Sequence, residues 1–306
     1  MLKKILVTGG AGFIGSHLSD KLIEKGHQVA IIDNLYSGKK ENLNPKADFF
    51  QADICDFETI KPIFKNIDYV FHLAAIPRVP ISIEDPIATS YINIIGAINV
   101  FKAAAEANIK RVIFASSSSV YGEQEQMPLK EDRVIKPVSP YGLQKLVGEQ
   151  FGRLFTELYK TPVVSLRYFN VFGPRVDFDS EYSLVIGKFL RQKANNEPLT
   201  IFGDGQQSRG FCYVTDVVEA NIKAMDSEKL KGGEVINIGS DQSQTINYIA
   251  DLINGEKKYL PARLGDVLQT KADISLAKEL LGWQPEVSFE DGLEKTKIWF
   301  EKQIEN

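Results

Sequence analysis

The sequence is poor in the residues that build metal centres and disulfide frameworks. Among 306 residues there are two cysteines, three histidines, three methionines and two tryptophans. Cys55 and Cys212 lie far apart and require no disulfide, and so few thiols in a chain this long suit a reducing, cytoplasmic setting. His17, His27 and His72 share no metal-ligand spacing, so no metal site is expected. No run of about 18 apolar residues occurs, which argues against a membrane span. The apolar run ending at Val7 is followed by glycines at 9, 10, 12 and 15 and by no small-residue cleavage site, so it reads as a strand entering a loop rather than a leader. Charge of one sign is also lacking. The net charge is −4 with 36 basic and 40 acidic residues well mixed, and neither nucleic acid nor a membrane surface is expected as a partner. What is present is an ordinary globular composition, 43% hydrophobic and 25% charged, at a length that suggests two domains.

The first chemical signal is at the start. Residues 3–8 form a β-rich run that leads into Gly9-Gly10-Ala11-Gly12-Phe13-Ile14-Gly15. A helical period follows over 16–25, Gly26 ends it, and a second apolar run closes on Asp33, 18 residues past Gly15. A glycine loop between a strand and a helix, with an acid about 20 residues on, signals dinucleotide binding. Glycine lets the backbone approach the pyrophosphate, whose charge rests on the helix N-terminus. Asp33 would accept hydrogen bonds from the adenosine ribose and would repel a 2′-phosphate, so NAD is expected rather than NADP.

Alternation of strands and helices continues to about residue 170, with strands read at 49–51, 69–73, 111–115 and 163–167 and helices at 58–64, 87–108 and 140–159. This pattern predicts an α/β fold, a Rossmann-type doubly wound parallel sheet carrying a smaller α/β substrate-binding domain. The expected division is 1–170 plus about 211–239 for the NAD domain, and about 171–210 plus 240–306 for the second. Ligands of such sheets bind beyond the carboxyl ends of the strands. The candidate cofactor contacts are therefore Gly9, Gly12, Phe13, Ile14 and Gly15 from the loop, Asp33 and Asn34, Asp53 and Ile54, and Leu73, Ala74 and Ala75, each group following a strand. Asp53 has a second reading, as the cap of the helix at 58–64. His72 reads as a structural histidine. The helix at 87–108 has a small-residue face of Ala97, Ala103, Ala104, Ala105 and Ala107, which suits close packing within the domain or across a dimer.

The second signal is Ser139-Pro140-Tyr141-Gly142-Leu143-Gln144-Lys145. Ser139 suits an N-cap and Pro140 a first helical position. Tyr141 and Lys145, four residues apart, then share one helix face. A free tyrosine titrates near ~10, and an adjacent ammonium favours its phenolate. Reaching neutrality takes about 4 kcal/mol, more than one lysine readily supplies, so a cationic cofactor ring is the natural second contributor.

Together, the glycine loop, Asp33-Asn34-Leu35, His72-Leu73-Ala74-Ala75, the Ser-Ser-Ser-Val-Tyr-Gly run ending at Gly122, Ser-Pro-Tyr-x-x-x-Lys, and Arg167-Tyr168-Phe169-Asn170 resemble the extended short-chain dehydrogenase/reductases, and among them the NDP-sugar 4-epimerases. The resemblance runs nearly end to end. It implies that Tyr141 is the base, that Lys145 lowers its pKa and holds the nicotinamide ribose, and that Ser117, three before Val120, assists; Ser116 and Ser118 are close enough to leave the serine assignment open. It places Asn93, Ser116 and Tyr168 near the cofactor. It places Asn170, Arg209 and Arg263 at the substrate diphosphate, Asp266 at the uridine ribose, and Ser82, Ser117, Ser118 and Thr270 at the substrate. One position departs from the family pattern: Gly210 follows Arg209 where an aspartate is usual.

The same resemblance separates reactions. The family's dehydratases carry Asp-Glu after the catalytic residue and its decarboxylases a glutamate, where this chain has Ser118 and Ser119. A 4-epimerase needs one base and a reversible hydride, through a transient 4-keto sugar. Thr270 is at the position where glucose-restricted epimerases carry a bulky tyrosine, so UDP-N-acetylglucosamine is the expected substrate, with UDP-glucose accepted. The alternatives are a glucose-only epimerase, a dehydratase or decarboxylase, or a non-catalytic NAD-sensing protein. A homodimer through the helices at 87–108 and 140–159 is implied by the family.

Overall fold

The computed structural model describes residues 2–178, 185–262 and 269–304. Seven strands form the main sheet: β1 (Lys4–Thr8), β2 (Gln28–Asp33), β3 (Asp48–Gln51), β4 (Tyr69–His72), β5 (Arg111–Ser117), β6 (Val163–Tyr168) and β7 (Val235–Ile238). Their order is β7-β6-β5-β4-β1-β2-β3, and every neighbouring pair is parallel. The order reverses between β1 and β4, which opens a crevice at the carboxyl ends of those strands. A sheet covered on both faces needs strands apolar on both sides. Ile5, Leu6, Val7, Ile113 and Phe114 are accordingly buried at consecutive positions.

Three helices frame the crevice: α1 (Phe13–Glu24), α2 (Pro86–Glu106) and α3 (Pro140–Tyr159). α3 starts as its sequence predicts, with Pro140 in the first turn and the Ser139 hydroxyl accepting from Gly142 N at 3.1 Å. The preceding turn touches it closely, since a Cβ on Gly142 would lie 2.5 Å from the Ser119 carbonyl oxygen. α1 begins three residues earlier than its periodicity suggests, at Phe13, directly on the glycine loop. The short helix Phe57–Ile60 is capped by Asp56, whose side chain accepts from Thr59 N, and not by Asp53.

α2 is long and apolar enough to cross a membrane by length and composition alone, although no uninterrupted apolar run occurs. Two faces explain this. Its small residues Ala97, Ala103 and Ala104 are buried inside the domain, so the small-residue face is an internal packing surface and not an open one. The opposite face leaves Ile87 82% exposed, and α3 beside it leaves Leu158 69% exposed. Within α2, residues Tyr91–Ile95 make a π-helical turn, a local widening that often marks functional positions.

Beyond β6 the chain leaves the main sheet and returns to it only for β7. The excursion and the later C-terminal stretch build two small sheets together. Leu199–Phe202 pairs in parallel with Lys257–Leu260. Ser208–Arg209 lies between Gln244–Thr245 and Gln269–Thr270. Helices Val185–Ala194 and Phe289–Ile304 flank these small sheets in sequence.

Candidate active site

The glycine loop is a tight joint between β1 and α1. A Cβ on Gly15 would lie 2.1 Å from the Gly9 carbonyl oxygen, and one on Gly9 would lie 2.7 Å from Ala74 N. Gly9 also has φ +74°, which favours glycine. Gly12, at the head of α1, has no side chain to cap the helix, so the positive helix end faces outward where a phosphate would rest. Asp33 ends β2 beneath this loop. Its two carboxylate oxygens accept from Ala11 N at 3.0 Å and Leu35 N at 2.8 Å. Burial raises its pKa, and those two backbone bonds pull it back down. Each oxygen has a further lone pair to offer a ribose hydroxyl. Asn34 donates to Asp53 at 2.9 Å, and Asp53 also accepts from Cys55 N at 2.8 Å, so these two residues form one polar rim past β2 and β3. Ile54, expected at the cofactor, is buried against Gly96 of α2, whose Cβ would meet it at 2.5 Å. The donors, acceptors and cradle fit a dinucleotide.

Past β4, Leu73, Ala74 and Ala75 turn across the crevice. Thr8 Oγ1 holds this turn, accepting from Ala74 N at 3.3 Å and meeting His72 Nδ1 at 2.8 Å. Burial, aided by the nearby Lys145 charge, pushes His72 down to about 3, so it is a neutral structural group. Asn93, carried inward by the π turn, accepts from Ile76 N at 2.8 Å and donates to Ile76 O at 3.1 Å and Gln144 at 2.7 Å. Its side chain thus fixes the Ala74–Ile76 turn instead of standing open to a ligand.

Tyr141, Lys145 and Ser117 converge where α3 crosses the end of β5. Lys145 Nζ is 5.9 Å from the centre of the Tyr141 ring and donates to Ala115 O at 2.8 Å. Burial pushes the Tyr141 phenol up to about 12, with the Ser117 hydroxyl pulling the other way, and burial brings the Lys145 ammonium down to about 7. The chain's own residues therefore keep Tyr141 protonated at neutral pH. The extra positive charge that a phenolate needs is what a bound nicotinamide ring would bring to the crevice. Ser117 Oγ accepts from Ser119 N and donates to Ser119 Oγ, both at 3.1 Å. Ser118 begins the 3₁₀ turn that carries this bond.

Three expected contacts have other employment. The Ser116 hydroxyl donates to Glu149 at 2.5 Å, so it points to the opposite side of β5 from Ser117. The Tyr168 hydroxyl donates to Asn221 at 2.8 Å within the core. Ser82 is fully buried, donates to Val79 O at 2.7 Å and accepts from Tyr141 N at 3.0 Å, so it sets the start of α3. Among the residues expected at the substrate, Asn170 donates to Gly210 O at 2.9 Å and Thr270 Oγ1 at 3.3 Å. Arg209 lies in the strand between, bonded through Nη1 to Ser208 O at 2.9 Å. Gly210 explains its departure from the family pattern: its N–H donates to Thr270 O at 2.7 Å, and a Cβ there would crowd the carbonyls of Ser240, Gln242 and Thr270 at 3.1–3.3 Å. Arg263 and Asp266 lie outside the described residues.

Sequence reasoning missed Glu149 and Arg167. Arg167 Nε and Nη2 both donate to Glu149 at 2.8 Å, and both side chains are buried. Glu149 follows Lys145 at the spacing by which Lys145 follows Tyr141, a signal that was available.

A parallel sheet reversing at β1/β4, a glycine loop, an acid at the end of β2 and a Tyr-Lys-Ser cluster define an NAD-binding enzyme that moves hydride and proton at one centre. The model of the NAD dependent epimerase/dehydratase family matches residues 5–239. The chain belongs to that family, as an NAD-dependent enzyme of its extended short-chain dehydrogenase/reductase, UDP-sugar 4-epimerase branch. It is similar to a UDP-N-acetylglucosamine 4-epimerase from Methanobrevibacter ruminantium, solved with UDP-N-acetylmuramic acid (43% identity, 99% of each chain, TM-score 0.94). It is similar also to a UDP-glucose 4-epimerase from Thermotoga maritima solved with UDP-glucose (41% identity, 98% of this chain and 99% of the other, TM-score 0.93). A UDP-N-acetyl-alpha-D-glucosaminuronate decarboxylase from Bacillus cytotoxicus is 39% identical across the whole of both chains.

Proposed function

We propose that the chain interconverts UDP-N-acetylglucosamine and UDP-N-acetylgalactosamine, accepting UDP-glucose and UDP-galactose as well, through a transient 4-keto sugar. The observation that carries the epimerase reading is the composition of the cluster at α3 and β5: Tyr141, Lys145 and Ser117 together, followed by Ser118 and Ser119 where an elimination or decarboxylation would call for an acid. Bound NAD supplies the hydride acceptor and donor. Tyr141 takes the proton of the sugar 4-hydroxyl and returns it, Lys145 offsets the phenolate charge, and Ser117 hydrogen-bonds the reacting oxygen. Arg209, with Arg263, holds the diphosphate while the keto sugar turns over.

Thr270 supports the acetylated substrate. It is half-buried, its side chain is short, and its hydroxyl accepts from Asn170. The test is to incubate the pure protein without added NAD with each UDP-sugar and resolve the products by NMR. Formation of the 4-epimer of UDP-N-acetylglucosamine is expected; a decarboxylated or dehydrated product, or none, overturns the reading. Thr270→Tyr is expected to remove activity on the acetylated sugar selectively, by about tenfold or more, since a bulkier side chain excludes the acetamido group at a cost of about 1–3 kcal/mol. Equal loss on both sugars counts against the pocket.

The exposed apolar faces of α2 and α3 support a homodimer in which two copies of this pair pack together. Ile87→Glu with Leu158→Glu is expected to give a monomer in sedimentation velocity. A dimer unaffected by both changes would place the interface elsewhere.

A further inference from the structure

One turn beyond Lys145 on α3, the Glu149 carboxylate is buried, and the reaction above does not use it. Glu149, Lys145 and Arg167 are respectively 3%, 4% and 2% exposed. One buried anion thus pairs directly with Arg167 and lies one helical turn from a second buried cation, Lys145, whose Nζ donates to Ala115 O. The Arg167 guanidinium grips Glu149 with two 2.8 Å bonds, and Ser116 donates a third at 2.5 Å. Arg167 in turn lies 4.6 Å over the Tyr121 ring, whose hydroxyl donates to Asn237 at 2.7 Å. The carboxylate therefore cannot swing away from the floor of the site.

The titratable and charged groups near Lys145 are Tyr141 and Glu149 from its own helix and His72 from β4, with Arg167 on Glu149 and Tyr121 beneath Arg167. His72 is neutral and Tyr121 is held protonated by burial, pushed up to about 12. Arg167 repels an ammonium. That leaves Glu149 as the group whose charge favours it, against a burial that presses Lys145 towards neutrality. A phenolate on Tyr141 would complete the balance of charge in the cluster, and that balance needs Lys145 charged.

We propose that Glu149 is a positioning residue for this reaction: its carboxylate, clamped by Arg167 and Ser116, acts through Lys145 to keep that side chain an ammonium beside Tyr141. The inference rests on the reading of Tyr141 and Lys145 as base and activator. A merely structural Glu149, present to neutralise Arg167, would not tune Lys145.

The test titrates Lys145 directly, in protein labelled with ¹³Cε-lysine, the resonance being the one absent from Lys145→Met. Glu149→Gln keeps the size and removes the charge; Glu149→Asp keeps the charge. In Glu149→Gln the Lys145 inflexion is expected to fall by about one pH unit, and in Glu149→Asp to stay near that of the wild type. The same shift is expected in the alkaline limb of kcat, so that the loss of activity in Glu149→Gln deepens as pH rises. An unmoved inflexion, or a loss of activity equal at every pH, overturns the proposal. The titration needs no turnover, so failure of the epimerase reading would appear separately, as wild-type protein without product. Should Glu149→Gln not fold, because Arg167 is left unmatched, Ser116→Ala decides. Removing the 2.5 Å donor strengthens the carboxylate's field at Lys145. The inflexion is then expected to rise, and no change overturns the proposal.

Discussion

Tyr141→Phe is expected to lower kcat by about 10³-fold, within the span that a positioned acid–base group contributes, while the protein keeps its fold and its bound NAD. The change deletes one hydroxyl and no packing. The ring is buried at the first turn of α3, and its backbone N–H is tied to Ser82 at 3.0 Å. These contacts survive in phenylalanine, so the melting temperature should stay close to that of the wild type. What disappears is the hydroxyl proposed to exchange a proton with the sugar 4-hydroxyl. Single-turnover NMR with UDP-N-acetylglucosamine measures the loss. A variant within tenfold of the wild type would remove Tyr141 from the role of base and shift attention to Ser117.

The largest expected effect on the cofactor comes from Gly15→Ala. The new methyl would meet the Gly9 carbonyl oxygen at 2.1 Å and Gly10 Cα at 3.0 Å, backbone atoms that cannot rotate aside. The loop and α1 must part. Overpacking of this kind costs about 1–3 kcal/mol, and here it displaces the surface that meets the pyrophosphate. NAD released by acid and measured per protein chain is expected to fall at least about tenfold. Gly26→Ala is the control. Gly26 also has a positive φ, +85°, but a Cβ there meets nothing within 4 Å, so that variant should lose some stability and retain its NAD. Full NAD content in Gly15→Ala would show that the cradle is not where the dinucleotide is held.

Much of this molecule was legible because local chemistry and global fold agree. The glycine loop, Asp33 and the Ser-Pro-Tyr start of α3 are each specified by neighbours within a few residues, and α3 spans 140–159 as read from the sequence. What was not legible depends on which way a side chain turns on a strand or a helix. Ser116 and Ser117 are adjacent in sequence and face opposite sides of β5, so a motif that names both cannot say which meets the tyrosine. Ser82 and Asn93 are near the site, yet their polar atoms hold backbone: one sets Tyr141, the other the Ala74–Ile76 turn. Tyr168 ends β6 with its hydroxyl on Asn221, a partner 53 residues away that no local pattern predicts. The small residues of α2 allowed packing within the domain or across a dimer, and only the fold shows that Ala97, Ala103 and Ala104 pack inside the domain while larger residues carry the exposed surface.

The order in which the sheet is threaded has a consequence for synthesis. β7 is the strand at one edge, paired along β6, and it is made only after the chain has laid down the first halves of both small sheets. Those halves, Leu199–Phe202 and Ser208–Arg209, must wait for Lys257–Leu260 and Gln269–Thr270 before they are paired on that side. A ribosome that has emitted residues up to β6 therefore presents a sheet with an open edge, and the next segment to emerge cannot close it. Vectorial folding stays incomplete until the final quarter of the chain is released, so the cofactor crevice can be built early but the small sheets beyond β6 are among the last parts to form.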